Sequence, residues 1–220
     1  MADPPEVPGL EEACLALDEG RAVVVPNPSP MTYGIVATNP YAVNALKHRP
    51  PDHNVAVSLH NAREWRDVAP SLDLPAELLP RVGALLRLRL SLLVPLRASV
   101  PHPDWINPAV RDGYLAMFSG WWAPLARLWD EFPRLYGSSA NRTGQSPAAS
   151  AAEAVAMVGT AAPVVNADAL RDLGRAHAAS SMVRVAPDGE LGLYRRGAND
   201  ATSGLDPEAY LRHLAATPVD

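Results

Sequence analysis

Lysine occurs once in this chain, at Lys47, although Lys and Arg together number 19 of its 220 residues. A solitary ammonium among so many guanidinium groups reads as a position where arginine would not serve. The ammonium is a compact point charge and the guanidinium a wide planar fork, so the two are not interchangeable where one phosphate oxygen is met end-on. The alternative is a surface lysine at a helix end. Lys47 lies in Lys47-His48-Arg49-Pro50, and a Lys with an Arg two residues on can meet two oxygens of a polyphosphate from one side. A second segment, Gly137-Ser138-Ser139-Ala140-Asn141-Arg142-Thr143-Gly144, offers the Ser139 hydroxyl and the Asn141 amide to phosphate or adenosine, or else is a capped turn. Its glycines allow close backbone approach to a ligand. Ser180, Ser181 and Arg195 add two hydroxyls and a charge near the chain end. The sequence holds no Gly-x-Ser-x-Gly, no Cys/His pair and no histidine cluster. Such a set works by positioning and charge neutralisation, as phosphoryl or nucleotidyl transfer requires. Lys47, Arg49, Ser139, Asn141, Ser181 and Arg195 therefore form the candidate nucleotide site, with no catalytic residue and no metal ligand assigned.

These residues need strands and helices to converge. The periodicity predicts helices over 10–18, 40–47, 62–68, 75–84, 121–132, 151–158 and 207–214. Gly20 reads as the glycine that ends the first of them, and Asn39-Pro40 as the start of the second. Strands are expected over 22–26, 33–37, 54–59, 86–93, 113–118, 135–138 and 162–166, with a hairpin of 181–186 and 191–195 turning at Pro187-Asp188-Gly189-Glu190. The run 86–93 alternates Leu with Arg87, Arg89 and Ser91, which would place both arginines on one strand face. Trp122, Leu125 and Trp129 share a helical stripe and are expected to pack in a core or interface. His53 and His60 are dispersed and read as structural. Mixed strands and helices, without repeats or a linker, indicate one α/β domain with a twisted mixed sheet, helices on its faces and a concave basic groove.

Composition bounds the rest. Hydrophobic residues make up 48% and charged residues 20%, ordinary for a globular domain. A net charge of −5 argues against indiscriminate nucleic-acid binding while leaving room for one basic cleft. Cys14 is alone, so an internal disulfide and a cysteine-built zinc site are excluded, and a small buried apolar role is expected. The acidic, polar N-terminus is no secretory signal, and no apolar run approaches the roughly 20 residues of a membrane helix, so a cytoplasmic protein without a membrane partner is expected.

Four segments in register resemble the YrdC-like family, which includes the threonylcarbamoyl-AMP synthases. Gly20-Arg-Ala-Val-Val-Val-Pro26 with Tyr33-Gly34-Ile35 is similar to its first strand and loop. Lys47-His48-Arg49-Pro50 is similar to its Lys-x-Arg-Pro, and 137–144 to its Thr-Ser-Ala-Asn-x-Ser-Gly. Ser180-Ser181-Met182-Val183 and Arg195-Arg196-Gly197-Ala198 resemble its closing segments. The likeness runs over residues 8 to 200. It implies an enzyme that takes ATP with Mg²⁺, bicarbonate and L-threonine, makes threonylcarbamoyl-AMP and releases pyrophosphate. The product then serves modification of adenosine 37 in tRNA, so tRNA or tRNA-modification proteins are implied partners. No second domain is expected.

The departures fall on the amino-acid side. Six residues, Asn27-Pro28-Ser29-Pro30-Met31-Thr32, stand where the family has four, so its Thr-Asp/Glu-Thr is replaced by a proline-stiffened loop. The family's Trp-Pro-Gly-Pro-x-Thr is absent around Leu79–Ala84. Its Gly-x-Arg-x-Pro strand appears as Gly113-Tyr114-Leu115-Ala116-Met117-Phe118, without the arginine. Arg87 and Arg89 are the expected replacement, or else a solvated face. Ser29, Met31, Thr32, Tyr33, Ser180, Arg87 and Arg89 then make the expected substrate pocket. Three functions remain open: a divergent synthase using threonine or another amine, an accessory carbamoyl-transfer enzyme of a specialised pathway, and a catalytically silent nucleotide- or RNA-binding module.

Overall fold

Period-two burial along the strands separates two faces, and that separation builds the fold. In the computed structural model, residues 7–27, 32–171 and 177–218 are described. Among them the strands are β1 Val23–Asn27, β2 Thr32–Ala37, β3 Ala56–Ser58, β4 Ser91–Pro95, β5 Val110–Arg111, β6 Tyr114–Phe118, β7 Tyr136–Ser139, β8 Met182–Val185 and β9 Leu191–Arg195. The α-helices are α1 Leu10–Asp18, α2 Pro40–Leu46, α3 Ala62–Val68, α4 Leu79–Arg87, α5 Ala126–Glu131, α6 Ala151–Val158, α7 Ala198–Ser203 and α8 Pro207–Ala215. The strands form one mixed sheet in the order β1-β2-β7-β3-β6-β4-β8-β9, with β5 beside β6. The pairs β3/β6 and β4/β8 are parallel and the other pairs antiparallel.

Residues directly opposite on paired strands share a face. On one face Val24, Ile35, Val57, Leu92, Leu115, Met117 and Val183 bury against Val43 of α2, Val68 of α3, Leu85 of α4, Ala154 of α6 and Leu214 of α8. On the other face Val23, Val25 and Val36 pack with Ala13, Cys14 and Leu17 of α1 and Leu128 and Trp129 of α5. That second layer covers the β1–β2 side and reaches β6 at Phe118. Beyond Phe118, the same face of β6, β4 and β8 is left uncovered by it. Here Tyr114, Ala116 and Phe118 alternate with the buried Leu115 and Met117, while Ser91 and Leu93 alternate with Leu92 and Val94.

Local chemistry explains the helix ends. Asn39 caps α2 by accepting the Tyr41 N–H at 2.9 Å, and Asn61 caps α3 by accepting from Arg63 and Glu64. Gly20 takes the left-handed backbone expected of a terminating glycine, with φ 74.

Three expectations need correction. Residues 86–90 are not strand: α4 runs through Arg87, the chain turns at Arg89 with φ 63, and β4 begins at Ser91. Val82, Leu85 and Leu86 form a helical stripe that buries, and Leu88, 42% exposed, breaks the alternation. The strand expected over 162–166 reduces to a single bridge of Val164 to Val24. The helix expected over 121–132 starts as a 3₁₀ turn at Ala123–Leu125 before α5. The aromatic stripe is core as expected, with Trp129 1% and Leu125 0% exposed. Among the described residues no helix is long and apolar enough to cross a membrane.

Candidate functional site

The uncovered half of the sheet face is a cleft of about 370 Å³. Small residues supply its floor: Gly34 on β2, Gly137 on β7, Ala56 on β3 and Ala116 on β6. A Cβ on Gly137 would lie 2.7 Å from the Phe118 ring, so the phenyl ring rests directly on the glycine backbone. Among the described residues the charged side chains lining the cleft are Arg89, Arg111, Arg184 and Arg195, with Asp112 the one acidic member. Asn27, Thr32, Asn54, Ser138 and Ser139 mark one end, and Ser91, Ser180, Arg184 and Arg195 the other.

At the first end the structure brings Lys47, Ser139 and Asn141 together, as the sequence reading required. It directs them at one another. Lys47 is 4% exposed, and its ammonium donates to the carbonyl of Ser139, to the carbonyl of Asn141 at 2.8 Å and to Asn141 Oδ1 at 2.7 Å. Asn141 Oδ1 also accepts the Ser139 hydroxyl at 2.6 Å, and Asn141 Nδ2 donates to the Gln145 carbonyl at 2.5 Å. An ammonium has three donors, and all three meet protein oxygens. Burial, and then the Arg49 guanidinium, pull Lys47 down to about 7. Arg49 reaches Ser138 Oγ at 3.3 Å, while its buried Nε has no partner. Asn44, fully buried in α2, donates to the carbonyls of Pro51 and His53 and so fixes the segment that carries Arg49.

At the second end Ser180 and Ser91 share a hydrogen bond of 2.9 Å, and Arg195 donates to the Ser180 carbonyl at 3.1 Å. Ser181 does not belong to this cleft. It is 0% exposed, and its hydroxyl donates to Asp200 Oδ1 at 2.8 Å and accepts the Asp200 N–H at 3.0 Å. Strand alternation turns it inward, so the hydroxyl that lines the cleft is that of Ser180. Arg87 lies exposed at the end of α4 and does not line the cleft. Arg89 does line it, but from the turn, where it donates to the carbonyls of Ser119 and Trp121. The two arginines therefore share no strand face.

Thr32 pairs with Asn27 across β1 and β2 and lines the cleft. Tyr33, expected in the pocket, is among the residues lining the cleft, but its ring lies in the core and its hydroxyl donates to Asp168 Oδ1 at 2.8 Å. Burial raises that phenol well above its ordinary value. Ser29 and Met31 lie outside the described residues. His60 is structural, its ring nitrogens bonded to Ser58 Oγ and the Trp129 carbonyl, both at 2.8 Å. Among the described residues no three His, Cys, Asp or Glu gather as a metal site.

The sequence reading missed Asn27, Ser91, Tyr114, Phe118 and Arg184. Asn27 Oδ1 is buried without a partner at the cleft edge. The Arg184 guanidinium lies 4.0 Å from the centroid of the Tyr114 ring, a cation–π contact. The signal was present, because Tyr114, Ala116 and Phe118 alternate with core residues in a segment already read as a strand.

The family model for Sua5, YciO and YrdC, described as telomere recombination, matches residues 15–197. The chain belongs to that family. No curated protein matches it in sequence. Among solved structures it is similar to a doubly substituted Sua5 of P. abyssi, with TM-score 0.64 and 18% identity over 92% of this chain and 59% of that one. P. abyssi Sua5 complexed with L-threonine superposes with TM-score 0.58 at 17% identity, over 86% of this chain and 54% of that one. YciO of E. coli gives 0.62 at 11% identity, over 89% and 92%. The chain thus spans little more than half of the Sua5 chains it resembles. The mixed sheet with flanking helices is the fold that these relatives share with it.

Proposed function

We propose that the cleft binds ATP across the sheet and serves carbamoyl-adenylate formation of the threonylcarbamoyl-AMP synthase type. The observation that supports this best is the spacing of its polar ends. Ser139 on β7 and Arg184 on β8 are separated by β3, β6 and β4, and four strand steps of about 4.8 Å amount to roughly 19 Å along the sheet. A free amino acid is too short to reach both ends, whereas an extended nucleotide has the length. The floor of glycine and alanine gives a flat ligand room against the backbone. Family membership and the likeness to threonine-complexed Sua5 support the same reading.

In this reading the amine nitrogen bonds to the bicarbonate carbon with loss of water to give a carbamate, whose carboxylate oxygen attacks the α-phosphorus of ATP. The new P–O bond forms as the bond to pyrophosphate breaks. Arg89 and Arg195 would offset phosphate charge, Ser139 and Ser180 would position oxygens, and a magnesium ion would arrive on the nucleotide. Adenylate formation places the protein ahead of a carbamoyl transfer to tRNA or to another acceptor. The acceptor side favours an amine other than threonine as a second reading. Asn27, with an unpaired carbonyl oxygen, stands where the family motif begins its threonine-rich loop.

Calorimetric titration with Mg-ATP and with AMP should show dissociation constants between micromolar and millimolar, on the order of −4 to −8 kcal/mol. Pyrophosphate release with bicarbonate should be slower with L-threonine than with a better-fitting amine, found by trying Ser, Val, Gly and others in turn. Brisk threonine-selective turnover would restore the plain synthase. Nucleotide binding without turnover on any amine would leave the silent binding module, and no heat with either nucleotide would end the proposal.

A further inference from the structure

We infer that Lys47 acts as an internal strut for the 139–145 turn, a positioning residue that shapes the nucleotide end of the cleft without touching the ligand. The inference rests on the proposed nucleotide site and concerns how that site is held.

Three observations carry it. First, the ammonium is 4% exposed, does not line the cleft, and spends all three hydrogens on Ser139 and Asn141. A phosphate oxygen could gain one of them only by breaking a bond already made. Second, the bonds converge on one turn from a distant segment. Lys47 follows α2, while Ser139 ends β7, 92 positions further along the chain. Third, Asn141 Oδ1 accepts both the ammonium and the Ser139 hydroxyl, so the lysine fixes the direction of a hydroxyl that borders the cleft. The single lysine of the chain then has a geometric explanation. Three oxygens converging on one point require three hydrogens on one atom, and a guanidinium spreads its donors over a plane.

A strut and a direct phosphate contact differ in three measurable ways. Mg-ATP, Mg-ADP and AMP are titrated into the full chain and into Lys47→Met, Asn141→Ala, the double variant and Lys47→Arg. A strut predicts that Lys47→Met weakens all three nucleotides by a similar factor, roughly ten- to a hundredfold. Lys47→Arg should fail to rescue, and the double variant should lose no more than the worse single one, because both changes break one unit. A loss that grows with phosphate number, or losses that multiply in the double variant, would overturn the inference. The third readout needs no ligand. In unliganded Lys47→Met the amides of Asn141 and Gln145 should exchange hydrogen at least about tenfold faster, while the β8–β9 amides keep their rates. Unchanged exchange at the turn would overturn the inference. Should Lys47→Met not fold, Asn141→Ala gives the same readout through Gln145. If the wild-type chain binds no nucleotide, the proposed function fails, and hydrogen exchange still decides whether Lys47 is a strut.

Discussion

The two ends of the cleft carry similar residue types and use them in opposite ways. At the β7 end a cation, a hydroxyl and an amide close on one another, and the cation is buried. At the β8–β9 end Arg184 and Arg195 stay exposed, and Ser180 faces the cleft while its neighbour Ser181 is locked beneath α7. Preorganisation at the first end is internal, because polar groups saturate each other and hold a turn. At the second it is external, because a buried framework around Asp200 holds the backbone and leaves the charges outward. A ligand-binding motif in the sequence thus does not say which of its members meets the ligand.

The contrast breaks most readily at Asp200. This carboxylate is 2% exposed and accepts from Gly197 N–H at 2.6 Å, Ser181 Oγ at 2.8 Å and Arg196 Nε at 2.7 Å. Burial alone would raise its pKa, but the Gly197, Arg196 and Ser181 donors outweigh burial and hold it below the ordinary value. A depressed carboxylate contributes stability that is present above the unfolded pKa of about 3.9 and lost as pH falls through the folded one. Asp200→Asn should therefore lower unfolding free energy at neutral pH by about 2–3 kcal/mol, and by progressively less below about pH 4. Equal losses at pH 7 and pH 3 in chemical denaturation would show that the framework is not electrostatic.

The β7 end should respond to the opposite side of neutrality. Lys47, pulled down to about 7, loses its proton as pH rises past that point, and a neutral amine has only two hydrogens for three oxygens. Nucleotide affinity should fall on the order of tenfold between pH 6 and pH 8.5, the loss of roughly one charge-assisted bond. Folding responds with the other sign. Between about pH 7 and the ordinary lysine value near 10.4 the unfolded chain holds one more proton, so this group makes stability rise with pH. Affinity and stability that move together through this window would contradict the assignment.

The smallest expected effect sharpens the comparison at the open end. Arg184→Ala removes an exposed cation over Tyr114 and should cost about 0.5–1 kcal/mol of folding stability. It should leave hydrogen exchange at Asn141 and Gln145 untouched. A change at those amides would mean that the ends are coupled.

Much of the frame was legible in the sequence because caps and periodicity are local. Asn39, Asn61 and Gly20 mark helix ends that fall where they were expected. The failures are non-local. Residues 86–90 alternate like a strand, yet helical burial of Val82, Leu85 and Leu86 decides their state. Tyr33 on β2 and Ser181, one residue before β8, sit in the right motifs but turn their side chains into the core. Lys47 and Asn141 were both read as contacts to a ligand, and only the fold shows the lysine donating to Asn141 and to two backbone carbonyls. Arg184 was visible as a residue and invisible as a partner of Tyr114.

The bond from Lys47 to Asn141 joins residues 94 positions apart, and β2 pairs with β7 over a comparable span, Gly34 to Ser139. Contacts of this range close large loops, whose entropy must be met before any contact rewards it. A growing polypeptide that ends after Lys47 and before Ser139 holds the lysine but none of its oxygens. The nucleotide end of the cleft therefore comes into being only after most of the chain is made and docked, which makes ligand binding a late reporter of completed folding.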